Sequence, residues 1–294
     1  MDLEFFDNNT ENTTFDPNET YSFHIYYYVE IPTAIVAILS SLANALIIFM
    51  SIRFHVLHTR LYFYLANWCI CNFVITVSAH ATLNVLGFAE IVSVTALCIW
   101  LETSFAFMFG NLVFIAALLL DWYILTFTNQ GTCSIHCRRY YKLIAANIWV
   151  LVLLLLIKSI FYCLDYISMP LLVLIVCLAY FTVTVLILVI FVLRLIKLKL
   201  SSFVVEKSNL EFKLALSHFL CWLPNVLFLT VHIIFQLSII LEYLSYIIWY
   251  SNACVIFLLL YFNDESFRTC LGSLFHTKFK SSKKDNKDIP LIDV

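Results

Sequence analysis

The chain has 294 residues, 63% of them hydrophobic and only 12% charged, with a mean hydropathy of +0.94. A water-soluble domain carries about 25% charged residues, so the composition excludes a chain solvated on all sides and points to a membrane protein. The net charge of −2 gives no basis for nucleic-acid binding, and apolar runs that do not alternate with polar residues exclude a membrane β-barrel.

Residues 1–28 are polar and acidic and are expected to form a disordered tail. They carry three N-x-S/T sequons, at Asn8, Asn12 and Asn18, and no other sequon occurs in the chain. Such sites are glycosylated on the lumenal side of a membrane. No basic-then-apolar leader is visible, so the first helix is expected to act as its own insertion signal. Seven runs then reach the roughly 18 apolar residues a spanning helix needs: 29–52, 61–86, 98–127, 142–163, 170–195, 212–235 and 239–262. The expected fold is an all-α membrane protein. A seven-helix bundle covers 29–262, a short amphipathic eighth helix 263–276, and a flexible cytoplasmic tail 277–294.

Sixteen of the seventeen Lys and Arg residues fall in the loops after spans one, three and five and in the tail. By the positive-inside rule those segments face the cytoplasm, and the N-terminus lies outside. Lys158 alone falls elsewhere, in the outer part of span four; it either snorkels outward or pairs with Glu102 or Asp165.

Within the spans, Asn44 in the first and Asn67 and Asn72 in the second are polar residues in hydrocarbon. They are expected to hydrogen-bond across helices, with one from each span near mid-depth in a shared polar cluster. The third span opens with Cys98, carries Glu102 one turn below, and closes with Asp121-Trp122-Tyr123. Cys163 ends the fourth span. The orientation puts Cys98 and Cys163 on the oxidising face, where they are expected to pair. The sixth span contains Cys221-Trp222-Leu223-Pro224. A helix proline frees the carbonyl four residues back, here Leu220, and bends the helix, so Trp222 sits beside a hinge. After span seven, Phe267, Leu271, Leu274 and Phe275 share one helical face, as in a helix lying on the inner leaflet. Cys270 within it is a candidate palmitoylation site.

Together these features resemble the class A, rhodopsin-like G protein-coupled receptors over nearly the whole chain. Asn44 matches the helix-one asparagine, and Asn67-Trp68-Cys69-Ile70-Cys71-Asn72 resembles N-L-A-x-A-D. Cys98 and Cys163 resemble the extracellular disulfide pair, and Asp121-Trp122-Tyr123 resembles D-R-Y. Trp149 matches the helix-four tryptophan, Cys221-Trp222-Leu223-Pro224 matches C-W-x-P, and Asn252 to Arg268 resembles helix seven and the start of helix eight. The departures are specific. Asn72 stands for the sodium-site aspartate and Trp122 for the D-R-Y arginine, which normally locks helices three and six. N-P-x-x-Y is reduced to Ile256-Phe257-Leu258-Leu259-Leu260, with Tyr261 one place out of register. Fold markers kept beside eroded coupling motifs resemble virus-encoded receptors of the chemokine-receptor type, although residues 1–30 hold no cysteine for that group's second extracellular disulfide.

The resemblance implies an extracellular ligand, such as a basic peptide or chemokine, in a pocket walled by Glu102, Phe105, Trp222, Tyr246 and Trp249. It implies a heterotrimeric G protein inside, with Asn44, Asn72, Asp121, Trp122, Tyr123, Pro224, Asn252 and Tyr261 in switching and coupling. It implies no metal or cofactor. A non-signalling decoy, or a protein acting by binding other membrane proteins, is the other reading. A seven-helix hydrolase is disfavoured because His80, His218 and His232 lie on different helices, and a catalytic metal needs several ligands at one depth. A channel is disfavoured because no ring of charges lines any span.

Overall fold

A computed structural model of the chain describes residues 17–78, 94–127, 132–164, 170–200, 210–235 and 239–280. Among these the fold is all-helical, with no strand. The helices are α1 (Pro17–Arg53), α2 (Arg60–Thr76), α3 (Val94–Phe127), α4 (Thr132–Cys163), α5 (Pro170–Leu200), α6 (Leu210–Phe235), α7 (Ile239–Asn263) and α8 (Glu265–Lys280), with a 3-10 turn at His55–Leu57.

Several helices outrun their apolar cores. α1 begins at Pro17, inside the stretch expected to be disordered; proline suits a first helical position, where its missing N–H has no role. α4 begins at Thr132 and takes in Arg138 and Arg139, which the sequence had suggested for a loop. α5 extends to Leu200 and α8 to Lys280, beyond the expected 195 and 276. Lysine and arginine are good helix formers, and an apolar run marks what can sit in hydrocarbon rather than where the helix stops.

Among the described residues, four helices are long and apolar enough to cross a membrane: α1 over Ile31–Arg53, α3 over Cys98–Leu125, α4 over Tyr140–Phe161 and α7 over Leu244–Asn263. α5 adds a shorter apolar stretch, Leu178–Ile190. α2 has 17 residues, about 26 Å at 1.5 Å per residue against a hydrocarbon core of about 30 Å. The expected second span continues into residues 79–93, which lie outside the described residues.

α3 is the central helix. It packs on α2, α4, α5 and α6, while α7 packs on α1, α6 and α8. Its most apolar window is 56% buried, against 22% for α4. Gly110 permits a close approach of α3 to α4, since a Cβ there would stand 2.7 Å from Val152 Cγ2; small residues let membrane helices close up in this way.

The distribution of polarity is inverted relative to a water-soluble protein. Ile38, Leu42, Leu154, Val185 and Phe262 are exposed, whereas Asn44, Asn72, Glu102, Asn111, His218 and Asn252 are buried. Polar groups turned inward and apolar ones outward are what lipid favours.

Candidate functional site

A seam of amides crosses the middle of the bundle. Trp68 Nε1 donates to Asn111 Oδ1 at 2.9 Å, Asn111 Nδ2 to Asn72 Oδ1 at 3.4 Å, and Asn72 Nδ2 to Asn44 Oδ1 at 3.4 Å. The seam thus ties α1, α2 and α3. Asn67 is not part of it: its amide donates to Phe63 O and accepts from Trp149 Nε1 of α4 at 2.8 Å. The two asparagines of the second span therefore serve different helices, and the cluster expected between spans one and two forms through Asn44 and Asn72. Asn67 and Asn72 are five residues apart, which puts them on different faces of a helix.

The seam meets α6 through His218. Its ring packs edge-on to Trp68, with centroids 5.5 Å apart, and lies 5.1 Å from Trp222. Asn252 Nδ2 of α7 and His218 Nδ1 are hydrogen-bonded at 2.8 Å. Asn44 Nδ2, His218 Nε2, Asn252 Oδ1 and Trp222 Nε1 are buried without a partner among the described residues. Each such group costs about 1–3 kcal/mol when left unsatisfied.

Trp222 is the hub. It is fully buried about half a turn before Pro224, and α6 runs on as a helix through that proline. Its ring stacks with Tyr180 of α5 at 6.4 Å and meets Trp249 of α7 edge-on at 5.5 Å. Trp249 continues to Tyr250 at 5.1 Å and Tyr246 at 6.0 Å. Tyr180 also stacks on Phe219 at 5.6 Å and donates to the Phe219 carbonyl at 3.4 Å, bracing the turn that precedes the proline.

At one end of the bundle Cys98 and Cys163 form a disulfide joining α3 to α4. Below it Glu102 is buried and feels the charge of Lys158 across the α3–α4 contact. Phe105 is partly buried against the core. Of the expected pocket, Trp222, Tyr246 and Trp249 therefore form one aromatic group, whereas Glu102 faces α4.

At the opposite end Asp121 pairs with Arg60 of α2 at 3.2 Å. Trp122 is buried and packs on Phe212 of α6 with centroids 5.5 Å apart. An aromatic contact thus joins α3 to α6 at this end. Tyr123 is partly buried against the core. Lys213 Nζ donates to Asn263 Oδ1 at 2.6 Å, joining α6 to α7. A cavity of about 550 Å³ opens between these helix ends, lined by Val56, Arg60, Trp122, Glu211, Asn263 and Ser266 among others. Tyr261 is exposed, and Leu260 takes the buried place beside it.

α8 is docked rather than free. Asp264 Oδ1 accepts from the N–H groups of Ser266 at 2.8 Å and Phe267 at 3.2 Å, an N-cap, while Oδ2 accepts from Tyr62 Oη at 2.6 Å. Phe267 is fully buried and stacks on Tyr62 at 6.2 Å. Cys270 lies on this buried face with Leu271, and burial, followed by the charge of Asp264, pushes its thiol above the usual range. An acyl chain on Cys270 has to leave from beneath the helix.

Asn8 and Asn12 lie outside the described residues. Asn18 falls in the first turn of α1, with its side chain outside them. Sequence reasoning missed Asn111, His218, Arg60 and Tyr62. Asn111 had a readable signal, a lone amide in an apolar run; the pairings of Arg60 and Tyr62 are tertiary and left none. No protein-family model and no curated protein matches this chain.

Proposed function

We propose that this chain is a cell-surface receptor of the seven-helix, rhodopsin-like kind, with its N-terminus outside, its α8 end in the cytoplasm and its sequons glycosylated. Ligand enters at the disulfide end. The signal passes as movement of α6 about Pro224, and a heterotrimeric G protein reads it at the cavity beside Trp122. The observation that carries the reading is Trp222, one buried ring at the proline turn of α6 in contact with both α5 and α7. A ligand that displaces the Tyr246–Trp249 group reaches that ring directly, and His218 hands the displacement to the amide seam. Differential contact of this kind is what shifts a helix between two positions.

A decoy is the second reading, favoured by the α8 end. Asp121 is held by Arg60 and Trp122 by Phe212, so α3 presents no arginine to a G protein at the D-R-Y position. Basal second-messenger output of wild type beside Trp122→Arg, at matched surface level, separates the two. Ligand-free signal in the wild type supports the receptor. Silence in the wild type with signal in Trp122→Arg supports a receptor fold that has lost coupling. Silence in both overturns the signalling reading and leaves a role in binding other membrane proteins.

A further inference from the structure

We propose that the cavity at the α8 end is a seat for this chain's own C-terminal segment, residues 281–294. The inference does not require that the chain signals; where it does, the segment and the G protein compete for one place. Four carboxylates line the cavity, those of Asp121, Glu211, Asp264 and Glu265, against a single cation, Arg60. Asp121 engages Arg60, so the lining keeps an excess of negative charge. Lys213 bonds Asn263 at the rim. The walls are apolar, with Val56, Leu118, Trp122, Leu125 and Leu210. The volume of about 550 Å³ falls within the range of about 300–1,000 Å³ that ligand pockets occupy. A fitting occupant brings an apolar group with a cation at its edge.

Residues 281–294 have that pattern, with Lys283, Lys284 and Lys287 followed by Ile289-Pro290-Leu291-Ile292. Their reach fits as well. α8 has 16 residues, about 24 Å at 1.5 Å each. Residues 281–287, fully extended, span at most about 25 Å. A chain turning back along α8 therefore brings Lys287 to Glu265 and carries residues 289–292 on into the cavity. Side chains alternate along an extended chain, so Lys287 and its neighbour Asp288 turn to opposite sides. The tether favours this occupant over a peptide from another molecule, since a short flexible link holds its end at an effective concentration of about millimolar.

Gly272 marks the path. It stands halfway along α8, where glycine is a poor helix former, and a Cβ there would meet nothing within 4 Å. Packing among the described residues therefore does not call for a glycine. A second backbone laid close across α8 does.

Photo-crosslinking of the full-length chain in its membrane tests this. Leu291 is replaced by a photoreactive phenylalanine analogue, and the residues it joins are mapped by mass spectrometry. Crosslinks within one chain to residues 56–61, 118–125 or 210–211 are expected. Their yield is expected to fall roughly fivefold in Lys287→Glu, the scale of one exposed ion pair, and to return when Glu265→Lys is added. Lys287→Glu alters only the segment, so its effect does not arise from a misfolded bundle. Gly272→Leu, which fills the path, is expected to lower the yield too. Crosslinks to lipid or to a second copy alone, no crosslink at all, or a yield that either variant leaves unmoved overturns the proposal.

Discussion

Gly110 is the residue on which the central packing of the bundle depends. A β-carbon at this position would meet Val152 Cγ2 at 2.7 Å and Cys71 Sγ at 3.2 Å. Both neighbours are fully buried, and a valine in a helix holds essentially one rotamer, so neither yields easily. Gly110→Ala gains up to about 1 kcal/mol in helix propensity, but overpacking a tight core costs about 1–3 kcal/mol. Overpacking wins, and Gly110→Ala is expected to lower the thermal midpoint of the detergent-solubilised protein by the equivalent of about 1 kcal/mol. Adding Val152→Ala removes the nearer clash and recovers most of the loss. A midpoint unchanged or raised by Gly110→Ala would mean that α3 and α4 stand further apart than this contact requires.

Among the elements, α8 shows best what the sequence makes readable. Its amphipathic face was legible from the spacing of Phe267, Leu271 and Leu274, because helical periodicity is local. Its seat was not legible. The face turns onto α2 and α7, with Phe267 against Tyr62 and Phe257. The Tyr62–Asp264 bond that fixes it joins residues 202 apart in the chain. Helix centres were legible for the same reason as the amphipathic face, whereas helix ends were not: Arg138 and Arg139 extend α4 although they end its apolar run. Removing the anchor is expected to free the helix. Truncating a fully buried phenylalanine costs about 3–5 kcal/mol, more than the roughly 1 kcal/mol the Asp264 cap supplies, so Phe267→Ala undocks α8 from its seat. Cys270 reports this. While it is buried beside Asp264 its thiolate fraction at neutral pH falls below that of an exposed thiol, and the thiolate is the reactive form. Maleimide labelling at neutral pH is expected to be slow in the wild type, to speed up as pH rises past the ordinary thiol range, and to become fast at neutral pH in Phe267→Ala. A Cys270→Ser control subtracts the other thiols. Equal neutral-pH rates in wild type and Phe267→Ala would show that Cys270 already faces outward, the condition palmitoylation needs.

At the scale of the whole molecule, two covalent or charged markers sit at opposite ends: the Cys98–Cys163 disulfide at one, and Arg60, Lys213 and α8 at the other. The pairing was legible because an oxidised pair has to lie on the non-cytoplasmic side. The amide seam was legible only in part, since Asn44 and Asn72 stand out in apolar runs while His218 looks like any scattered histidine until α2, α6 and α7 come together. The disulfide closes a loop of 65 residues, for which chain entropy gives at most about 4 kcal/mol. In a bilayer α3 and α4 remain confined when tertiary contacts are lost, so the freedom the bond removes is smaller, and about 2 kcal/mol is the expected share. Cys98→Ser is expected to lower the thermal midpoint by that amount, Cys163→Ser by the same, and the double variant by no more than either, because each single change already opens the loop. The link also reports orientation. On the proposed orientation, which puts the bond outside, a membrane-impermeant reductant added to intact cells is expected to destabilise the wild type and leave both serine variants unmoved. If that reductant acts only after the membrane is opened, the disulfide end faces the interior of a compartment rather than the cell surface.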